Sequence, residues 1–244
     1  MQSSCAENEI RHGKYLAEND TERIWGWGTP AGRLRFLRRA GIIIDSGGLR
    51  PGMKVLEIGC GTGNFTELFL SSGCNIIAVD ISPDLLSKAE NRGLPASQVR
   101  FMAMRFEDAE SMGPFDAIIG SSVLHHLEVP VALSKIFDIL RSGGRISFAE
   151  PNLLNPQVYM ERKFSHWKRF SYVSPDETAF VRKRLQRLLD SVGFVDIRIT
   201  PFDWLHPSTP RFLIPLLKTM GTAFEKTPLL KEFSGSLAIS AAKP

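Results

Sequence analysis

Val55-Leu56-Glu57-Ile58-Gly59-Cys60-Gly61-Thr62-Gly63-Asn64-Phe65 passes from a short apolar run, through glycine at alternate positions, into a segment with helical spacing. The pattern predicts a buried strand, a tight turn and a helix. Glycine lets the backbone take positive φ in such a turn and lets a ligand lie directly against the main chain. In an open parallel sheet, ligands sit beyond the carboxyl ends of the strands, near the reversal of strand order. Glu57 precedes the turn. Asp80 ends the next apolar run, where a carboxylate can accept hydrogen bonds from two ribose hydroxyls.

Outward from this turn, apolar runs at 53–58, 75–80, 99–104, 115–120 and 144–150 read as strands. Between them, 62–72, 83–92 and 131–140 carry helical spacing. Ser82-Pro83 is a good helix start, Pro130 plays the same part, and Ser142-Gly143-Gly144 is expected to end the helix before it. Such alternation predicts an α/β fold with a Rossmann-like, doubly wound, mostly parallel sheet. Beyond Glu150 the rhythm breaks into an irregular aromatic and basic stretch at 151–172. Ser174-Pro175-Asp176-Glu177 reads as a capping box for a helix through about Val192, and 194–200 and 234–242 read as final strands. The expected organisation is one domain over 1–244. It comprises a helical extension at 1–50, a core at 51–150, and a region at 151–244 with an apolar insert at 201–233.

With 43% hydrophobic and 23% charged residues, the chain of 244 residues is ordinary for a globular protein, and a net charge of +4 does not imply nucleic acid. Its three cysteines form no metal-ligand spacing and no even set. A reduced chain without a metal is therefore expected. Charged residues at 7–14 and the lack of an apolar run of membrane length place the expectation in the cytoplasm.

The spacing G-x-G-x-G brings the third glycine one position early for a dinucleotide fingerprint. The charge on Glu57 would oppose a pyrophosphate and suit a ligand with sulfonium and amino groups. Glu57 to Gly63, with Asp80, resembles the first two motifs of class I S-adenosylmethionine-dependent methyltransferases. Ser122-Val123-Leu124-His125-His126-Leu127 is similar to the ubiquinone-biosynthesis-like, or methyltransferase type 11, branch. The resemblance runs from about Met53 to Glu150. It implies a seven-stranded sheet with an antiparallel last strand, S-adenosyl-L-methionine as cofactor, and methyl transfer to a small-molecule acceptor. By position, Gly59, Cys60, Gly61 and Gly63 would hold the methionine part, Asp80 the ribose, and Ile81 the adenine. Phe106-Glu107-Asp108 would supply an acidic group near the adenine amine, with Asp108 preferred to Glu107. Ser121 and Ser122 would line the sulfonium side.

Methyl transfer is an in-line displacement, in which alignment supplies much of the rate. A base is needed only where the acceptor loses a proton, as a hydroxyl or activated carbon does. His126 and His125 are the candidates, at least one of them being expected to serve structure instead. Trp25, Trp27 and Tyr15 are candidate lid residues, with packing against the core as the alternative. Glu150, Asn152 and Asn155, with Tyr159, Phe164, Trp167, Phe170 and Tyr172, are expected around the acceptor. Arg162, Lys163, Lys168 and Arg169 suit an anionic group or a solvated face. The insert could cover the pocket, join two copies or lie on a membrane, and it suits a lipid-like or lipid-linked acceptor. Its prolines at 201, 207, 210, 215 and 228 oppose one continuous helix. Ser121-Ser122-Val123-Leu124 stands where enzymes methylating the amino groups of adenine or protein glutamine carry asparagine-proline-proline-aromatic. An NAD-dependent oxidoreductase and a non-catalytic binding protein are the alternatives.

Overall fold

The computed structural model describes residues 2–164 and 179–244. The apolar runs form β1 (Lys54–Ile58), β2 (Asn75–Asp80), β3 (Val99–Ala103), β4 (Phe115–Ser121), β5 (Leu140–Pro151), β6 (Val195–Phe202) and β7 (Ser236–Ala242). They lie in one sheet in the order β3-β2-β1-β4-β5-β7-β6. Pairing is parallel from β3 to β5, whereas β7 runs antiparallel to both β5 and β6. This is the expected sheet, with its reversal of order between β1 and β4.

Helices α1 (Gln2–Glu18), α2 (Thr21–Ile24) and α3 (Pro30–Gly47) precede it. Those that follow are α4 (Asn64–Phe69), α5 (Pro83–Glu90), α6 (Val129–Ile139), α7 (Pro156–Phe164), α8 (Arg182–Val192) and α9 (Ile214–Lys226). Strand side chains alternate between two apolar layers, as period-two geometry requires. Leu56, Ile118, Ile146 and Phe148 face α6 and α8 through Leu133, Ile136, Leu185 and Leu189. Val55, Ala117, Ile119 and Ala149 face the other way, toward Ala40 and Ile43 of α3, Phe69 of α4 and Leu86 of α5.

The N-terminal helices are fixed by local chemistry. Thr29 caps α3 by accepting from Gly32 N, Pro30 opens it, and Gly48 closes it at φ 62°. Gly13 brings α1 against Ser82 at the head of α5, where a Cβ would stand 2.3 Å from the serine Oγ.

Several boundaries differ from the sequence reading. α6 starts at Val129 and stops at Ile139, because Leu140 pairs with Phe115 and begins β5. The Ser142-Gly143-Gly144 stretch therefore lies inside β5, and Gly143 N donates to Lys243 O at 2.9 Å. α8 starts at Arg182 without a side-chain cap, and Ser174 to Glu177 lie outside the described residues. The insert contains one 13-residue helix, α9, with Pro215 in its first turn. No described helix is long and apolar enough to cross a membrane.

Phe148 is fully buried in the middle of the sheet. Phe148→Ala should lower unfolding free energy by about 3–5 kcal/mol through lost transfer energy and a residual cavity. Urea denaturation measures it, and a loss below ~1 kcal/mol would contradict this packing.

Candidate active site

A cleft of about 700 Å³ opens at the carboxyl ends of β1, β2 and β4, at the reversal of strand order. Gly59 and Gly61 form its floor, both at positive φ. A Cβ on Gly59 would stand 2.5 Å from Val123 Cγ2, and one on Gly61 would stand 3.0 Å from the Trp25 ring. Only bare backbone fits between these side chains. Asp80 holds this floor in place: its Oδ2 accepts from Gly61 N at 2.8 Å and its Oδ1 from Ser82 N at 2.9 Å. Burial pushes the Asp80 carboxyl up, partly offset by those two donors. Each oxygen keeps lone-pair capacity for a ligand.

Gly59, Cys60, Gly61, Asp80, Ile81, Phe106, Glu107, Ser121, Ser122, His125 and His126 all line the cleft. Three expected residues do not. Gly63 starts α4 outside the lining, backed by Ala89. Asp108 is exposed away from the cleft, so position reverses its preference over Glu107. Glu57 points behind the floor, because it shares the face of Val55 and faces the α3–α4 layer.

Burial pushes the Glu57 carboxyl up to about 8, with the charge on Asp80 adding to the shift. At neutral pH it is mostly protonated. The expectation that its charge repels a phosphate is therefore corrected. Its Oε2 is buried with no hydrogen-bond partner among the described residues.

The segment after β4 is fixed by Glu150. Its Oε1 accepts from Val123 N and Leu124 N at 2.9 Å each, and Oε2 lies 2.7 Å from His125 Nδ1. These partners lower the Glu150 carboxyl against the opposing effect of its burial. Burial also lowers His125 to about 4, so it is neutral at pH 7. A carboxylate only accepts, so His125 donates from Nδ1 and keeps its lone pair on Nε2. The His125 side chain is 4% exposed, whereas that of His126 is 20% exposed and its Nδ1 lies 3.3 Å from Glu9 Oε1 on α1.

Arg39 is the residue that motif reading missed. Its Nη1 donates to Ser122 Oγ at 2.9 Å, Ser121 Oγ at 3.3 Å and Ala149 O at 3.0 Å, and its Nη2 donates to Ser236 Oγ at 2.6 Å. Burial lowers it to about 10, which leaves it cationic at neutral pH. The signal was present: Phe36, Arg39, Ala40 and Ile43 form one helical stripe, with a cation among apolar residues. Glu9, His12, Leu16 and Trp25 also line the cleft, so the N-terminal helices form its outer wall.

The expected acceptor residues are redistributed. Glu150 fixes the loop, as described above. Asn152 Nδ2 donates to Glu232 O and Ser234 O, and Asn155 Nδ2 donates to Phe233 O, so both asparagines fasten the end of the insert. Tyr159 is exposed beneath Lys163, outside the lining. Val158, Glu161 and Arg162 of α7 do line the cleft. Trp167, Lys168, Arg169, Phe170 and Tyr172 lie outside the described residues, as does the Phe164 side chain. Among the described residues no cluster of metal-ligating side chains occurs.

A family model described as a methyltransferase domain matches residues 31–199. Ubiquinone biosynthesis O-methyltransferase of Xylella fastidiosa (strain 9a5c) is 35% identical over 99 residues, covering 39% of this chain and 40% of that protein. The protein of the same name from Xanthomonas campestris pv. campestris (strain B100) is 33% identical over 106 residues, covering 42% and 44%. The chain thus spans less than half the length of these relatives. Among solved structures, the N-methyltransferase NodS of Bradyrhizobium japonicum, in complex with S-adenosyl-L-homocysteine, matches with TM-score 0.66. Its identity is 17%, over 97% of this chain and 99% of NodS. A possible histamine N-methyltransferase of Thermotoga maritima matches with TM-score 0.67 at 18% identity, over 97% and 100%. At these identities the likeness concerns the fold.

Folded Glu57 holds its proton more tightly than an unfolded carboxyl near 4.5 does. Its contribution to stability is whole below that value and is lost as pH rises through about 8. Glu57→Gln, neutral throughout, should therefore gain on the parent by more than about 1 kcal/mol between pH 5.5 and 8.5. His125 titrates alike in both proteins and cancels. Urea unfolding at the two pH values measures this, and a pH-independent difference would contradict the buried, protonated carboxyl.

Proposed function

This chain belongs to the methyltransferase-domain family, and from that premise we propose that it binds S-adenosyl-L-methionine in the cleft and transfers the methyl group to a small-molecule acceptor. The observation that carries this reading is the bare-backbone floor of Gly59 and Gly61, fixed by Asp80 at the reversal of strand order. The remaining groups fit the same cofactor. Asp80 retains accepting capacity for ribose, Ile81 and Phe106 offer apolar walls for adenine, and Glu107 would supply the acidic group for its amine. Arg39 offers a cation for a carboxylate. The match to a methyltransferase domain leaves the NAD-dependent oxidoreductase reading without support.

When bound, the cofactor supplies a methyl group on a positively charged sulfur, open to in-line attack. The chain's work is then to orient, to exclude water and to take a proton. Trp25 over Gly61 and α1 across the opening shield the cleft from water. Ser121 and Ser122, held by Arg39, would line the sulfonium side. His126 is assigned the proton of an acceptor hydroxyl, since it is the more open of the two histidines. His125, locked on Glu150, positions the loop that carries it. An acceptor that reacts through hydroxyl oxygen or activated carbon agrees with this base, and the relatives named for ubiquinone biosynthesis support the same class. The buried free thiols Cys60 and Cys74 support placing the protein in the reducing cytoplasm.

Calorimetric titration should give micromolar-range binding of S-adenosylmethionine and S-adenosylhomocysteine and none of NAD. Asp80→Ala should weaken adenosyl binding by at least about tenfold, corresponding to about 1.4 kcal/mol. Binding of NAD alone would overturn the reading.

With an acceptor found by labelled-methyl screening, His126→Gln should lower kcat by roughly 10²-fold or more at neutral pH. An unchanged kcat would remove the base role and leave the cofactor assignment standing.

A further inference from the structure

The insert between β6 and β7 turns an apolar surface outward. Its helix α9 already has an anchored inner face: Ile214 and Gly221 are buried, Trp204 packs on Gly221, and the Trp204 and Phe224 rings meet edge to face at 5.0 Å. Core packing is thereby accounted for on that side. On the opposite side Leu216, Met220 and Ala223 recur at i, i+4 and i+7, all exposed, with Phe212 one turn earlier. Phe212 is 79% exposed and Leu216 56%. Leu229, Leu230 and Phe233 continue the exposed apolar run toward β7.

The uncompensated charges around this run have one sign. Glu225 is engaged by Arg38, with Oε1 at 2.8 Å from Nη1, and it also accepts from Asp203 N. Glu232 is engaged by Arg182 at 2.7 Å. Arg211, Lys218, Lys226 and Lys231 have no acidic partner among the described residues. Exposed apolar side chains between uncompensated cations are the composition of a surface that enters a lipid headgroup layer. Two copies meeting through the same face would oppose these cations to one another, which disfavours a self-paired interface.

We propose that the Phe212–Phe233 surface docks on an anionic phospholipid membrane. The inference rests on this surface and not on the methyl-transfer reading. Its consequence for that reading is positional, because Gly235 and Ser236, just beyond Phe233, line the cleft. The docked face thus adjoins one wall of the site.

The test is co-sedimentation of the full chain with vesicles of phosphatidylcholine alone and of phosphatidylcholine with one-third phosphatidylglycerol. Binding is expected to the anionic vesicles, weakened by added salt and at least about tenfold lower on neutral ones. Phe212→Ser with Leu216→Ser, and separately Lys218→Glu with Lys226→Glu, should each reduce binding at least about tenfold. Adenosyl binding should stay intact in both. The charge pair carries the test should the apolar pair fail to fold. Absence of binding by the parent, or binding indifferent to the charge reversal, would overturn the proposal. So would a dimer in analytical ultracentrifugation that Phe212→Ser with Leu216→Ser converts to monomer, since a second copy would then cover the face.

Discussion

Two buried charges of opposite sign, Glu150 and Arg39, hold the ends of β4 and β5 in the form on which the cleft depends. Glu150 gathers two backbone N–H groups and the His125 ring on one side. Arg39 gathers both serines at the end of β4, a carbonyl of β5 and a serine of β7 on the other. Ser122 sits between them at φ 56°, a conformation that L side chains rarely adopt and that surrounding bonds must hold. A buried ion is costly unless hydrogen bonds and opposite charge offset its desolvation, and removal of either charge would leave the other under-compensated. The sharp turn that presents Ser122 and His126 to the cleft is a product of this pair.

The same principle explains why the floor takes its shape. Asp80 spends one oxygen on Gly61 and the other on Ser82, so the glycine loop and the start of α5 move as one unit. Arg92 adds a bond from Nε to Thr62 O at 2.6 Å on the far side of the loop. Preorganisation of this kind lowers the entropy lost when a ligand is bound.

The sheet was legible in the sequence because its strands are short, apolar and punctuated by glycine and proline. Period and turn chemistry therefore agree over most of 53–150. Legibility failed where a tertiary contact overrode a local signal. Glycines at 143 and 144 look like a helix end, yet pairing of Leu140 with Phe115 ends α6 earlier and draws them into β5. The motif marks Glu57 but not its surroundings. A motif gives its position in the chain, whereas the alternation from Val55 decides which layer it enters. For the acidic pair after β3, the short 3-10 turn Phe106–Met112 directs Glu107 to the cleft and Asp108 to solvent, a choice that spacing alone leaves open. Arg39 lay outside every motif and announced itself only as a cation in an apolar stripe.

The proposed acceptor side was least legible for a topological reason. Its walls come from opposite ends of the chain and meet only through long-range polar contacts. Arg35 binds Asp203 at 2.7 Å across a separation of 168 residues, and Thr29 Oγ1 donates to Pro207 O across 178. Gln157 meets His206 at 2.6 Å, tying α7 to the same corner. These bonds join the N-terminal helices, α7 and the root of the insert into one rim above the carboxyl ends of the strands. None of the joined segments carries a periodic signal that names its partner. The proposed cofactor half of the cleft is built from neighbouring loops of a regular sheet, so its chemistry follows from a local motif. On the same proposal the rim faces the acceptor, and its segments are ones that the sheet neither requires nor constrains.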